Sequence, residues 1–265
     1  PAEGFRITGV SFEQFTSLSV EDAGDVNGDG IDDLIVDGAF VIYGKQGGLS
    51  DIDLAALTDD QGFRISTGDH VGGAGDVNGD GFADLIVGTD KTGESAIVYG
   101  GDFTKSVTHL GGAGDDMLEG TDSDEALVGG TGNDAMIGGG GADSFHGGAG
   151  DDVIVLGPGD VLRVDGGNGI DTVFANDFGP TLDFTGALRD RFRSIEVIDL
   201  NELKVNTVIL DAAAVAHMTG SNGSAFGPNT LLIKGDEGDV VDLPDPGWLK
   251  GDEVTDPFGQ GGTYI

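Results

Sequence analysis

Two identical octets carry the densest chemistry in the chain. Ala23-Gly24-Asp25-Val26-Asn27-Gly28-Asp29-Gly30 returns verbatim as Ala74-Gly75-Asp76-Val77-Asn78-Gly79-Asp80-Gly81. Counted from the first aspartate, oxygen-bearing side chains fall at positions 1, 3, 5 and 9: Asp25, Asn27, Asp29 and Asp33, then Asp76, Asn78, Asp80 and Asp84. Position 7, Ile31 or Phe82, offers its backbone carbonyl, and glycine at position 6 permits a sharp turn. Hard oxygen donors at this spacing point to calcium. An EF-hand would need glutamate at position 12, but Val36 and Val87 stand there, so the helix–loop–helix reading fails.

A second carboxylate pattern begins at Gly111 with a nine-residue period. Its copies start at Gly111, Gly120, Gly129, Gly138, Gly147 and Gly166, and five of the six fit G-G-x-G-x-D-x-U-x in full. The copy at Gly120 is weak, and a degenerate stretch, 156–165, precedes the last. The glycines allow tight turns whose carbonyls face an ion. Position 6 supplies the carboxylates Asp116, Asp134, Asp143, Asp152 and Asp171, with Glu125 in the weak copy, and position 8 is apolar. Two nonapeptides make one coil, so ions should sit between turns n and n+2. Asp116, Asp134 and Asp152 would then form one stack, and Asp143 with Glu125 the other.

The elements that hold these loops read as strands. Each octet runs into an apolar run, Asp33-Leu34-Ile35-Val36 or Asp84-Leu85-Ile86-Val87, and each unit ends in Tyr-Gly, at Tyr43-Gly44 and Tyr99-Gly100. A unit of about fifty residues with several short strands has the size of a β-propeller blade. Beyond residue 174, strand-like runs recur at Ile195–Leu200, Thr207–Leu210 and Thr230–Ile233, and Asp211–Met218 reads as one short helix.

Both repeats resemble known families. The octets with their flanks, over residues 4–101, resemble the FG-GAP repeat of integrin α-subunit propellers, in which the loop joins two strands of a blade and binds calcium. Two blades cannot close a ring of at least four. Either further blades precede Pro1 or the two pack in another way; both ends of the chain read as cut. The nonapeptides resemble the RTX family, which implies a parallel β-roll and export through a type I secretion channel, with folding on external calcium. The segments Ser194–Leu200 and Gly235–Leu243 resemble, more weakly, the region after the roll in large RTX surface proteins.

Composition narrows the function classes. Twelve Lys and Arg face 48 Asp and Glu, a net charge of −36. Such a surface repels nucleic acid and anionic lipid alike. No apolar run of about 18 residues exists to span a membrane. Cysteine is absent, which removes disulfide and thiolate chemistry. His70, His109, His146 and His217 stand apart, with no H-E-x-x-H, and no G-x-S-x-G elbow is present.

The expected architecture is all-β: FG-GAP-like blades over 1–104, a calcium-binding parallel β-roll over 105–174 and a strand-rich cap over 175–265. The expected ligands are several Ca2+ ions, and the expected protein is not an enzyme. It reads as a calcium-folded structural or adhesive segment of a large exported bacterial surface protein, with other copies of itself or cell-surface ligands as partners. The alternative is the calcium-binding tail of a type I-secreted hydrolase. Self-cleavage at Asp245-Pro246 or Asp256-Pro257 is a third reading, and Trp248 could contact a sugar.

Overall fold

The structure is a computed structural model that describes residues 4–9, 19–37, 39–66, 70–88, 93–158, 161–175, 181–200, 207–219, 230–235, 239–245 and the backbone of 263–264. The chain is all-β apart from one α-helix, Ala212–Met218, and two 3-10 turns among the described residues. It divides into two compact units, Pro1–Asn78 with Phe82–Val107, and Gly79–Gly81 with Thr108–Ile265.

In the first unit, strands Val20–Gly24, Asp33–Val36, Phe40–Ile42 and Gly62–Arg64 form an antiparallel four-stranded sheet. Strands His70–Gly75, Asp84–Gly88 and Ser95–Val98 form a three-stranded one. Each octet loop joins the first two strands of its sheet, as a blade requires. The two sheets share one core, in which Ala23, Val26, Ile35 and Val41 meet Val71, Leu85 and Val87. This packing needs no closed ring.

The first sheet buries its other face too, where Val36, Phe40 and Ile42 pack with Ile52 and Leu54. Burial on both faces explains why Phe40-Val41-Ile42 is continuously apolar instead of alternating. The second sheet leaves Ile86 and Ile97 exposed on its outer face.

The second unit is a parallel solenoid. One sheet stacks His109–Leu110, Ala126–Thr131, Asp143–Ala149, Val161–Asn168 and Phe192–Arg193. The other stacks Met117–Glu119, Ala135–Ile137, Val153–Val155, Thr172–Phe174, Val197–Asp199 and Leu232–Gly235, with Thr263–Tyr264 antiparallel at its edge. Partners lie eighteen residues apart through the repeats, as Met117, Ala135 and Val153 do. The position-8 residues Leu127, Met136, Phe145, Ile154 and Val173 point inward and are fully buried. Most of these strands give the shared core a single side chain, and Val161–Asn168 gives Val161 and Val164, so the core is narrow.

The degenerate stretch keeps the coil going. Val161–Asn168 pairs with Asp143–Ala149 through a one-residue register shift at Asp143/Ser144. The region expected as a cap adds strands to both sheets of the roll and builds a third parallel sheet from Thr181–Asp183, Thr207–Ile209 and Val240–Asp242. A wider core fills this part: Leu182, Phe184, Phe192, Ile195, Ile198, Val208, Leu210 and Met218. Phe184 and Phe192 meet edge to face at 5.0 Å. The helix starts where Asp211 accepts a hydrogen bond from the Ala214 N–H, and it buries Ala214, Val215 and Met218.

Candidate calcium sites

In the first octet loop the polar side chains turn onto the loop's own backbone. Asp25 accepts hydrogen bonds from the N–H groups of Gly28 at 2.7 Å and Asp29 at 3.1 Å on Oδ1, and from Gly30 at 2.6 Å on Oδ2. Asn27 Oδ1 accepts from the Asp29 N–H, and Asp29 Oδ1 accepts from the Ile31 N–H. Asp33 clamps both ends of the hairpin: Oδ2 accepts from the Val26 N–H at 2.9 Å and Oδ1 from the Gly44 N–H at 2.7 Å. The structure therefore brings Asp25, Asn27, Asp29 and Asp33 into one loop with the Ile31 backbone. Asp25, Asn27 and Asp33 are buried. Burial pushes the Asp33 carboxyl up to about 8; the Gly44 N–H opposes the shift and the nearby Asp25 charge adds to it.

The second loop repeats the clamp. Asp84 accepts from the N–H groups of Val77 and Gly100, both at 2.9 Å, and is fully buried. Asp76, Asn78, Asp80 and Phe82 follow in the same turn between strands, with Asn78 exposed and Phe82 buried.

The roll carries a column of carboxylates along one side. The backbone N–H of Asp116 donates to Asp134 Oδ1 at 2.8 Å, that of Asp134 to Asp152 Oδ1 at 2.8 Å, and that of Asp152 to Asp171 Oδ1 at 2.9 Å. On the other side the Glu125 N–H donates to Asp143 Oδ1 at 3.0 Å. The one-residue insertion lengthens the last step from 18 to 19 residues, which brings Asp171 into the first column. A shallower ladder runs alongside, with Asn133, Asp151 and Ile170 N–H groups donating to Asp115, Asn133 and Asp151 side chains. Position 5 of the repeat was not singled out from sequence; its signal is the Asp/Asn at 115, 133 and 151.

Asp134, Asp152 and Asp171 each have one oxygen occupied and one spare. The Oδ2 atoms of Asp134, Asp152 and Asp171 are buried without a hydrogen-bond partner among the described residues. They converge with carbonyls at the position-1 glycines. A Cβ at Gly147 would lie 2.2 Å from the Gly166 carbonyl oxygen and 2.3 Å from Asp152 Oδ2, and one at Gly129 would meet Asp134 Oδ2 at 2.4 Å and the Gly147 oxygen at 2.6 Å. Glycine is required there because oxygen atoms fill the space.

Burial pushes the carboxyls of Asp143, Asp152 and Asp171 up to about 6, 7 and 8, against the backbone N–H that each accepts; the neighbouring carboxylates push the same way. Asp134 is raised for the same reasons. A buried, unpaired carboxylate oxygen is costly unless a cation meets it.

These sites fit calcium by their donors. Among the described residues no three His, Cys, Asp or Glu side chains are placed to hold a metal ion by themselves, so side chains alone do not make a cage. Backbone carbonyls must complete any ligand set, which suits a hard cation that accepts six to eight oxygens. Asp116, Asp134, Asp152 and Asp171 would hold ions in one column, and Asp143 with Glu125 in the other. Bound calcium supplies positive charge that offsets their burial.

Family comparison agrees with the geometry. Residues 110–136 and 128–160 match the RTX calcium-binding nonapeptide repeat, and residues 70–99 match the FG-GAP repeat. The chain thus carries calcium-binding RTX repeats and an FG-GAP repeat, and the first octet lies outside the matched residues. No curated protein and no solved structure matches the chain.

No helix among the described residues is long and apolar enough to cross a membrane. Trp248 and the pair Asp256-Pro257 lie outside the described residues, as does Pro246; Asp245 Oδ2 accepts a hydrogen bond from the Ala212 N–H.

Proposed function

We propose that the chain is a non-catalytic, calcium-folded structural or adhesive segment of a large exported bacterial surface protein. The observation that carries this reading is the column of buried, unpartnered Oδ2 atoms on Asp134, Asp152 and Asp171. With a narrow apolar core beneath it, the roll has little else to offset the repulsion of its own carboxylates. Ions that bind the folded roll and not the open chain would add their binding free energy to folding. Sites tuned to about 10⁻⁴–10⁻³ M, the range of extracellular calcium modules, would leave the chain open inside a cell and close it outside. The absence of cysteine and the charge of −36 suit such a route.

Circular dichroism of the purified chain tests the proposal. In chelator the β-type signal of the roll should be weak. Millimolar calcium should restore it, and magnesium should do so poorly because it dehydrates reluctantly and demands octahedral geometry. A full β signal already present in chelator would count against calcium-driven folding.

A further inference from the structure

The carboxylate column does not stop where the glycine repeats stop. Beyond Asp171 the next coil has lost its Gly-Gly-x-Gly turn. Strand Phe192–Arg193 passes to strand Val197–Asp199 through Ser194, Ile195 and Glu196 alone. Thr172 pairs with Val197, so Glu196 stands one rung beyond Asp171. The backbone N–H of Asp171 donates to Glu196 Oε2 at 3.0 Å, repeating the bond that joins each earlier rung to the next. Glu196 is 5% exposed.

The oxygen pairing seen at the repeat glycines recurs here as well. A Cβ at Gly166 would meet the Ser194 carbonyl oxygen at 2.1 Å and Asp171 Oδ2 at 2.4 Å. Asp171 is wholly buried, and that Oδ2 has no hydrogen-bond partner among the described residues. Ser194 holds a φ of 52°, a left-handed conformation that residues other than glycine adopt sparingly. It stands where each repeat has its first glycine.

We propose that Glu196 closes a further divalent-cation site with Asp171 Oδ2 and the Ser194 carbonyl, the last site of this column. The inference rests on the calcium reading of the roll and assigns a ligand that the nonapeptide motif does not contain. A glutamate is one methylene longer than the aspartates before it, which suits a shortened turn that sets its backbone differently. The column ends there. Val197 pairs with Leu232, so the next rung holds the apolar Leu231. Alongside it, Lys234 Nζ stands 3.7 Å from Asp199 Oδ2, a fixed cation for a carboxylate in the same strand as the rung.

The competing role for Glu196 is a plain acceptor that satisfies the Asp171 N–H. Glu196→Gln separates the two, because the amide oxygen still accepts that bond while the charge is gone. Glu119→Gln is the control: Glu119 is exposed and removes the same charge. Calorimetric titration of the whole chain with calcium should give one ion fewer for Glu196→Gln than for the parent, and the parent's count for Glu119→Gln. Equal counts for all three would overturn the added site. If Glu196→Gln does not fold at any calcium concentration, Glu196→Asp decides. A raised calcium midpoint in that variant supports a ligand, and an unchanged midpoint overturns it. A parent that takes up no calcium at all would refute the calcium reading itself, which is a different result.

Discussion

The backbone N–H of Asp134 donates to Oδ1 of Asp152, eighteen residues on, at 2.8 Å, while Oδ2 of the same carboxylate is buried with no partner among the described residues. One oxygen fixes the register between successive coils. The other is open to a cation. On the proposed reading the same side chain would be a structural pin and a ligand, and folding of the roll would be tied to calcium.

The register can be tested by neutralising one carboxylate that belongs to the column and one that does not. Asp134→Asn keeps an oxygen for the Asp116 N–H but removes charge from the middle of the column. Asp122→Asn removes the same charge from an exposed loop position. The calcium midpoint for folding should rise roughly tenfold in the first, equivalent to about 1.4 kcal/mol, and stay near the parent's in the second. Superimposable titrations would mean that the acidic residues act only as a diffuse charge cloud.

Proton and calcium should act as substitutes for each other. Asp143, Asp152, Asp171 and Asp33 all have folded-state values above the ordinary 3.8, at about 6, 7, 8 and 8, chiefly through burial. A carboxyl raised on folding stabilises the fold fully below its unfolded value, and that stabilisation is lost as pH rises through the folded one. In calcium-free buffer the melting temperature should therefore fall from about pH 4 to pH 8, as carboxylates ionise without a counter-ion. With calcium present the trend should reverse, because protons then compete with the ion. A calcium-free melting temperature that climbs across this window would contradict the burial argument.

The glycines at position 1 should tolerate no side chain. Gly147→Ala would place a Cβ 2.2 Å from the Gly166 carbonyl oxygen and 2.3 Å from Asp152 Oδ2. Overpacking of this kind costs about 1–3 kcal/mol, so the variant should need more calcium to fold and melt lower at saturation. Gly112→Ala meets nothing within 4 Å and should behave as the parent does. Thermal melts at fixed calcium compare the two.

The repeating chemistry was legible because its period is fixed. An eighteen-residue coil built from two nonapeptides places Asp116, Asp134 and Asp152 in one column, and its apolar position 8 marks the residues that the structure buries, Phe145 and Ile154 among them. The octets fixed the hairpin loops for the same reason. Glu196 was not legible, because its turn has shrunk to three residues and it follows Asp171 by 25 instead of 18. Nothing local marks that step. The strands at Val197–Asp199, Thr207–Ile209 and Leu232–Gly235 could be read from their apolar runs, but their parallel partners lie at unequal distances along the chain. Their membership of the solenoid therefore emerges only from three-dimensional pairing. The helix at Ala212–Met218 was visible because an aspartate cap precedes a run of alanines. The packing of two blades on one core was not, since Val41 and Val71 carry no sign of which sheet they face.

Peptide-resolved hydrogen exchange of the whole chain, in chelator and in millimolar calcium, tests the central claim most directly. Amides over residues 111–174, whose strands give few apolar side chains to the core, should exchange freely in chelator and become protected when calcium is added. Amides over 181–200 and 207–219, backed by Phe184, Phe192, Ile198 and Met218, should change less. Protection of 111–174 that is the same with and without calcium would contradict the account.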